Sequence, residues 1–195
     1  TVSVDHLSSG RLTLGVGLGD PPTTEYEQFG EDPDTLTLAR KLDEGLDVLT
    51  GLWSGEEFSY RGNHHRIDRA TFLPKPVQSP RIPIWVGANW PNKKPLRRAS
   101  QWDGVYPIYW HGGENKMSPI ILKDIVQYVG EHRSSSGNFD VVAAGTLDVS
   151  KRSQLAQFAK AYRDIGATWY ASPIGPHIGD VNAVKAWISL GPPKY

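Results

Sequence analysis

The stretch from Pro83 to Tyr109, PIWVGANWPNKKPLRRASQWDGVYPIY, constrains this chain more than any other. Ile84-Trp85-Val86 is a short apolar run that ends in Gly87-Ala88-Asn89. Leu96, Ala99 and Trp102 then recur at helical spacing, and Val105 to Tyr109 is apolar again. The pattern predicts a strand, a glycine-containing turn, a short basic helix and a second strand. Such a unit buries two parallel strands and points the free N–H groups of the helix N-terminus beyond the first strand. A phosphate is the natural guest there, with Lys93 or Lys94 to neutralise it. The plainer alternative is a tight strand–helix turn with a solvated basic start.

The same rhythm runs along most of the chain. Arg11 to Gly17 reads as a buried strand. Gly15, Gly17 and Gly19 do not make a dinucleotide fingerprint, because Asp20-Pro21-Pro22 follows instead of a helix. Close approach of backbone to a neighbour or a flat ligand at the strand end is the better reading. A helix follows, with Asp32 as its cap, Pro33 at its first position, and Leu38, Leu42, Leu46, Leu49 and Trp53 along one face. Residues of about 56–70 alternate around Gly62-Asn63 and predict a β-hairpin insertion. A proline-rich connector from Leu73 leads back to Pro83.

Beyond Tyr109, Ser118-Pro119 opens a helix with Ile121, Leu122, Ile125, Val126 and Val129 facing inward. Asp140 to Leu147 reads as a strand. Ser150 caps a helix carrying Leu155, Phe158, Ala159, Tyr162 and Ile165, which Gly166 ends. Ala167 to Ile174 is the last strand, and Asp180 starts a closing helix with Val181, Val184, Trp187 and Ile188, stopped by Gly191-Pro192. Five strands alternating with helices predict a parallel α/β sheet with right-handed crossovers.

Bulk properties remove whole classes of function. At 195 residues the chain suits a single domain, 1–195, with a sizeable core. Lys plus Arg equals Asp plus Glu at 21 each, so no global field draws it to nucleic acid or to a membrane. It has no cysteine, which removes disulfides, thiol nucleophiles and sulfur-ligated metals and suits a cytoplasmic setting. No apolar run approaches the roughly 18 residues that span a bilayer. No spacing of side chains argues for a metal site.

Several segments together resemble the bacterial luciferase-like flavin- or F420-dependent oxidoreductases. Leu7 to Gly17 (LSSGRLTLGVG) is similar to that family's L-S-x-G-R-x-x-L-G-V-G. Phe29-Gly30, then Arg40, Leu42 and Glu44, then Leu52-Trp53 follow in order, and the hairpin from Phe58 to His64 comes next. The Pro83–Tyr109 stretch is similar to P-x-x-x-G-G followed by L-R-R-A-A-x-x-x-D-G. The resemblance implies a (β/α)8 TIM barrel, of which the five units here would be strands four to eight, since a whole barrel takes about 250 residues. The expectation is therefore an incomplete barrel that covers its exposed sheet edges by association with another copy or with a missing segment.

In barrels of this kind the ligand lies at the C-terminal ends of the strands. That end collects Gly17, Gly19 and Asp20, then Gly87, Ala88 and Asn89, then Trp110, His111 and Gly112. Thr146, Asp148, Pro173, Gly175 and His177 follow the last two strands. The resemblance implies a cofactor-phosphate site at Gly87–Asn89 with Lys93 and Lys94, although Ala88 stands where the family has glycine and narrows the backbone route. His111 is the acid–base candidate, since histidine is the side chain that titrates near neutrality; a hydrogen-bonding bystander is the other reading. Trp90 and Trp110 could stack on a flavin ring or substrate, whereas Trp85, Trp102 and Trp169 read as core. The implied activity is monooxygenation with reduced FMN or hydride transfer with F420 on a small organic substrate. The competing expectation is a non-catalytic half-barrel that oligomerises and at most binds a flavin-like molecule.

Overall fold

The computed structural model describes residues 1–20, 22–112, 114–144, 152–171, 180–189 and 191. It is an α/β fold with a parallel sheet, and its contacts fall into two compact units, Thr1–Trp85 and Val86–Tyr195.

The first unit opens with helix α1 (Val2–Leu7) and strand β1 (Leu14–Val16), followed by a short helix α2 (Pro22–Glu25) and a 3-10 turn (Glu27–Phe29). Strand β1 is shorter than the seven residues expected, and the Leu14 N–H donates to the Pro83 carbonyl at 2.8 Å. What precedes it is a latch. The carboxylate of Asp5 is buried and accepts from the Val77 N–H (2.8 Å), the Gln78 N–H (3.2 Å) and the Gln78 side-chain amide (2.7 Å). That same amide also donates to the Leu12 carbonyl at 2.7 Å. Gly10 turns the chain with φ of +76°, and a side chain on it would press on Gln78. The LSSGR segment is thereby docked onto the proline-rich connector.

Helix α3 (Thr35–Trp53) is the main helix of this unit. Asp34 caps it, accepting from the Thr37 N–H at 2.7 Å, so the cap lies two residues after the expected Asp32. Asp32 instead accepts from the Asp34 N–H at 2.9 Å and shapes the turn that leads in. Leu38, Leu46 and Trp53 are buried, as their spacing requires. The hairpin forms as β2 (Phe58–Arg61) and β3 (Arg66–Ala70), antiparallel with Tyr60 opposite Ile67. Its turn is held from the side. The Glu44 carboxylate on α3 accepts from the N–H groups of Asn63, His64 and His65 at 2.8–2.9 Å. The Phe58 ring lies over Gly51 of α3, so closely that a methyl group there would collide with three ring atoms.

Gly51→Ala pits two effects against each other. Alanine in place of a helical glycine gains about 1 kcal/mol of helix propensity. Forcing the ring aside costs about 1–3 kcal/mol as overpacking. The clash is expected to win because three atoms of a rigid ring, not the far end of a flexible side chain, occupy the space. A lowered denaturant midpoint is expected, and a raised one would show that Phe58 moves freely.

The second unit takes up strand β4 (Ile84–Asn89), which both units share, and adds α4 (Lys93–Ala99) and β5 (Gly104–Ile108). A two-residue ladder follows, β6 (Trp110–His111) against β7 (Glu114–Asn115), before α5 (Pro119–His132), β8 (Asp140–Ala144), α6 (Arg152–Arg163), β9 (Trp169–Ala171) and α7 (Val181–Ser189). The sheet runs in the order β4, β5, β8, β9. Strands β5 and β8 are parallel with Gly104 opposite Asp140, and β8 and β9 are parallel with Val142 opposite Trp169. Ser118 caps α5 as expected, accepting from the Ile121 N–H, and Leu122, Ile125 and Val129 are buried. Tyr162 of α6 is buried too, and its hydroxyl donates to the Met117 carbonyl at 2.9 Å.

Trp169, expected in the core, lies at the surface with three apolar side chains of the last two helices. Trp169 is 56% exposed, and Phe158, Val181 and Ile188 are also exposed. Strand β9 ends the order of this sheet, so no further strand among the described residues pairs with its outer edge. The expected Ser150 cap and the ends of the strands at 145–147 and 172–174 lie outside the described residues.

Candidate functional site

The second unit brings three strand ends together. Along β4, Ile84, Val86 and Ala88 share a buried face, while Trp85, Gly87 and Asn89 alternate onto the other, less covered one. Ala88 therefore packs into the core. Gly87 and Asn89 are the residues this strand offers on the opposite side, and Asn89 is exposed. The Trp90 N–H donates to the Ile108 carbonyl at 2.8 Å, which ties the end of β4 to the end of β5. The Asn92 N–H donates back to the Asn89 carbonyl at 2.9 Å, and α4 begins at the next residue.

The two lysines at this turn are not equivalent. The Lys93 ammonium lies 3.9 Å from the centre of the Trp90 ring and 4.6 Å from that of Tyr128. Tyr128 in turn stacks on His132, one helical turn further along α5, with ring centres 4.1 Å apart. Lys93 thus sits between two aromatic faces, an arrangement that the ring quadrupoles favour. Lys94 is exposed beside it and makes no ion pair among the described residues. Trp90, expected as a stacking surface for a ligand, has the Lys93 ammonium over its ring. Arg97 and Arg98 occupy the last turn of α4, where cations favour the helix dipole.

Beyond β5 the chain makes the small β6–β7 ladder, with Trp110 opposite Asn115, His111 opposite Glu114, and Gly112 in the left-handed region at φ of +60°. Trp110 is 63% exposed, and His111 is exposed with its ring 6.1 Å from that of Tyr109 in a stacked arrangement. The residue that shapes this loop went unnoticed in the sequence. The Asn115 side-chain oxygen accepts from the Tyr109 and Met117 N–H groups, each at 3.2 Å, and its amide donates to the Ala144 carbonyl at 3.1 Å. Ala144 is the last residue of β8. An asparagine two residues after a Gly-Gly pair is a turn signal at most, so nothing local announces its reach.

In the first unit, Gly17 is exposed and a side chain there would meet open space. Gly19 is different. It adopts φ of +78°, and an added Cβ would collide with the Glu25 carboxylate and lie 2.9 Å from the Tyr26 ring. Its close backbone approach is thus to a neighbour in its own chain. Thr146, Asp148, Pro173, Gly175 and His177 lie outside the described residues. Among the described residues no cluster of His, Cys, Asp or Glu could hold a metal ion, and no helix is long and apolar enough to cross a membrane.

Comparison with known proteins decides the family. The sequence profile of the luciferase-like monooxygenases matches residues 1–173. The chain belongs to the luciferase-like monooxygenase family. This luciferase-like chain is 33% identical over 88 residues to the oxygenase component of a flavin-dependent trigonelline monooxygenase from Acinetobacter baylyi, covering 45% of the chain and 24% of that protein. It is 33% identical over 82 residues to an F420-dependent glucose-6-phosphate dehydrogenase from Microbacterium testaceum, covering 42% of the chain and 24% of that protein. The aligned stretches thus span about a quarter of the length of these relatives. Among solved structures, an F420-dependent secondary alcohol dehydrogenase in complex with an F420–acetone adduct superposes with a TM-score of 0.58 at 14% identity. That superposition covers 95% of this luciferase-like chain and 64% of the dehydrogenase chain, and it carries the fold. Relatives on both the flavin and the F420 side share the family, and the expected partial TIM barrel is consistent with the sheet described above.

Proposed function

We propose that this chain forms part of an oxidoreductase that uses reduced FMN for monooxygenation, or F420 for hydride transfer, on a small organic substrate. The profile match across residues 1–173 carries the reading, because relatives in that family are named for both kinds of cofactor. When bound, the cofactor would supply the redox chemistry, and the protein position and electrostatics. Gly87 and Asn89, on the less covered side of β4, fit a group that approaches backbone closely. Ala88 contributes only its backbone to that end of β4, since its side chain is buried. Lys94 is the cation free to meet an anionic group, while Lys93 holds Trp90. Trp110 offers an exposed ring face, and His111 is the proposed acid–base group. The cysteine-free composition supports the cytoplasm as its place of action.

Titrating FMN and F420 separately into the intact protein, with tryptophan fluorescence as the signal, tests this. One of the two is expected to quench. Lys94→Ala is expected to weaken that binding by about twofold to fivefold, as an exposed charge contact should, and more steeply at low than at high salt. Quenching by neither cofactor would sink the reading. The second reading, a non-catalytic assembly-forming half-barrel, is favoured by the exposed Trp169, Val181 and Ile188 of the second unit. It would stand if the protein self-associated through those residues and bound neither cofactor.

A further inference from the structure

We infer that Asn115 is a positioning residue, which holds Trp110 and His111 at the strand ends through the loop that carries them. The inference rests on the functional reading above only for what those two residues then meet. Its own basis is the division of labour within one side chain. The carboxamide oxygen gathers two backbone donors, Tyr109 N–H and Met117 N–H, on either side of the β6–β7 ladder and so closes the loop on itself. The carboxamide nitrogen reaches outside the loop to the Ala144 carbonyl and moors it to the end of β8. A backbone bond from Lys116 N–H to the Tyr109 carbonyl, at 2.7 Å, completes the closure. Asparagine is the shortest side chain that is acceptor and donor at once in a fixed plane. Aspartate keeps the acceptor and loses the donor; alanine loses both.

That difference gives a test that a merely structural role would not pass. In the full-length protein, hydrogen exchange at the Tyr109 and Met117 amides and the ring proton shifts of His111 are followed in wild type, Asn115→Ala and Asn115→Asp. Asn115→Ala is expected to speed exchange at both amides by about tenfold, the loss of one net hydrogen bond, and to move the His111 signals as its stack on Tyr109 loosens. Asn115→Asp is expected to keep both amides protected yet still move the His111 signals, because the mooring to Ala144 is lost. Unchanged exchange and unchanged His111 shifts in Asn115→Ala would overturn the inference. Should that variant fail to fold, unchanged His111 shifts in Asn115→Asp would overturn it equally. FMN and F420 separate this from the functional reading. If wild type binds one of them, both variants are expected to bind it about tenfold more weakly, and undiminished binding would count against Asn115. If wild type binds neither, the functional reading fails, and the exchange and His111 signals still decide the role of Asn115.

Discussion

Ile84→Ala is expected to lower the stability of the protein by about 2–5 kcal/mol, the cost of deleting a fully enclosed branched side chain. Ile84 has no solvent exposure and lies on the same face of β4 as Val86, which has none either. The loss combines the transfer free energy of the removed methyl groups with the cavity left behind. The backbone beside it has little room to collapse, because the adjacent Pro83 carbonyl is engaged by Leu14. In denaturant the midpoint should fall at unchanged slope. A midpoint within experimental error of wild type would mean that β4 does not carry the core. Ile84→Val, which removes one methylene, should cost about 0.5–1.5 kcal/mol and so grade the effect.

A second large effect is expected on acidification, and it comes from the first unit. Burial pushes the Asp5 carboxyl up, but the bonds from the Gln78 side chain and from the Gln78 and Val77 backbone outweigh it, and its pKa ends below the ordinary value. Glu44 behaves likewise. Burial raises it, and the amides of His64, Asn63 and His65 more than compensate, leaving it lowered. A depressed native pKa contributes stability that is complete above the unfolded value and is lost as pH falls through the native one. Unfolded Asp and Glu titrate near about 3.9 and 4.3. The denaturant midpoint should therefore be flat above about pH 5 and fall steadily below about pH 4. Asp5→Asn keeps one acceptor but places an amide donor against the Val77 and Gln78 donors. It should lower the midpoint at neutral pH and shrink the remaining acid dependence. A midpoint that does not change between pH 7 and pH 3 would rule this account out.

The βα rhythm, the α3 stripe and the Ser118 cap were legible because each is written in residues three or four apart. The hairpin was legible from Gly62-Asn63 between alternating runs. Asp5 and Glu44 were not, because their partners lie 72 and about 20 residues away and no local pattern couples them. The cap of α3 slipped by two residues because Asp32 and Asp34 are both competent caps, and only the path of the incoming chain chooses between them. Trp169 was read as core because an apolar pattern reports which side chains are apolar, not whether anything covers them. At the candidate site the rhythm put Gly87-Ala88-Asn89 in a turn after the strand, whereas β4 runs on through Asn89, and it placed Trp110 and His111 just beyond β5. The different situations of Lys93 and Lys94 could not be read from it. One residue of sequence separates them, but about 100° of helix turns one ammonium onto Trp90 and Tyr128 and leaves the other in solvent.

Helix α4 has two turns and carries Lys93, Lys94, Arg97 and Arg98. The protein as a whole is electrically neutral, so the rest of the chain carries a compensating excess of acids and this small helix is a local source of positive potential. An anion in solution would meet no net attraction at long range and a marked one within about a Debye length, 8–10 Å at ordinary ionic strength. Capture at the end of β4, as proposed, would then be a matter of the last few ångströms of approach. The remainder, net negative by the same count, would repel such an anion weakly, so that only an anion already close to α4 would be drawn in.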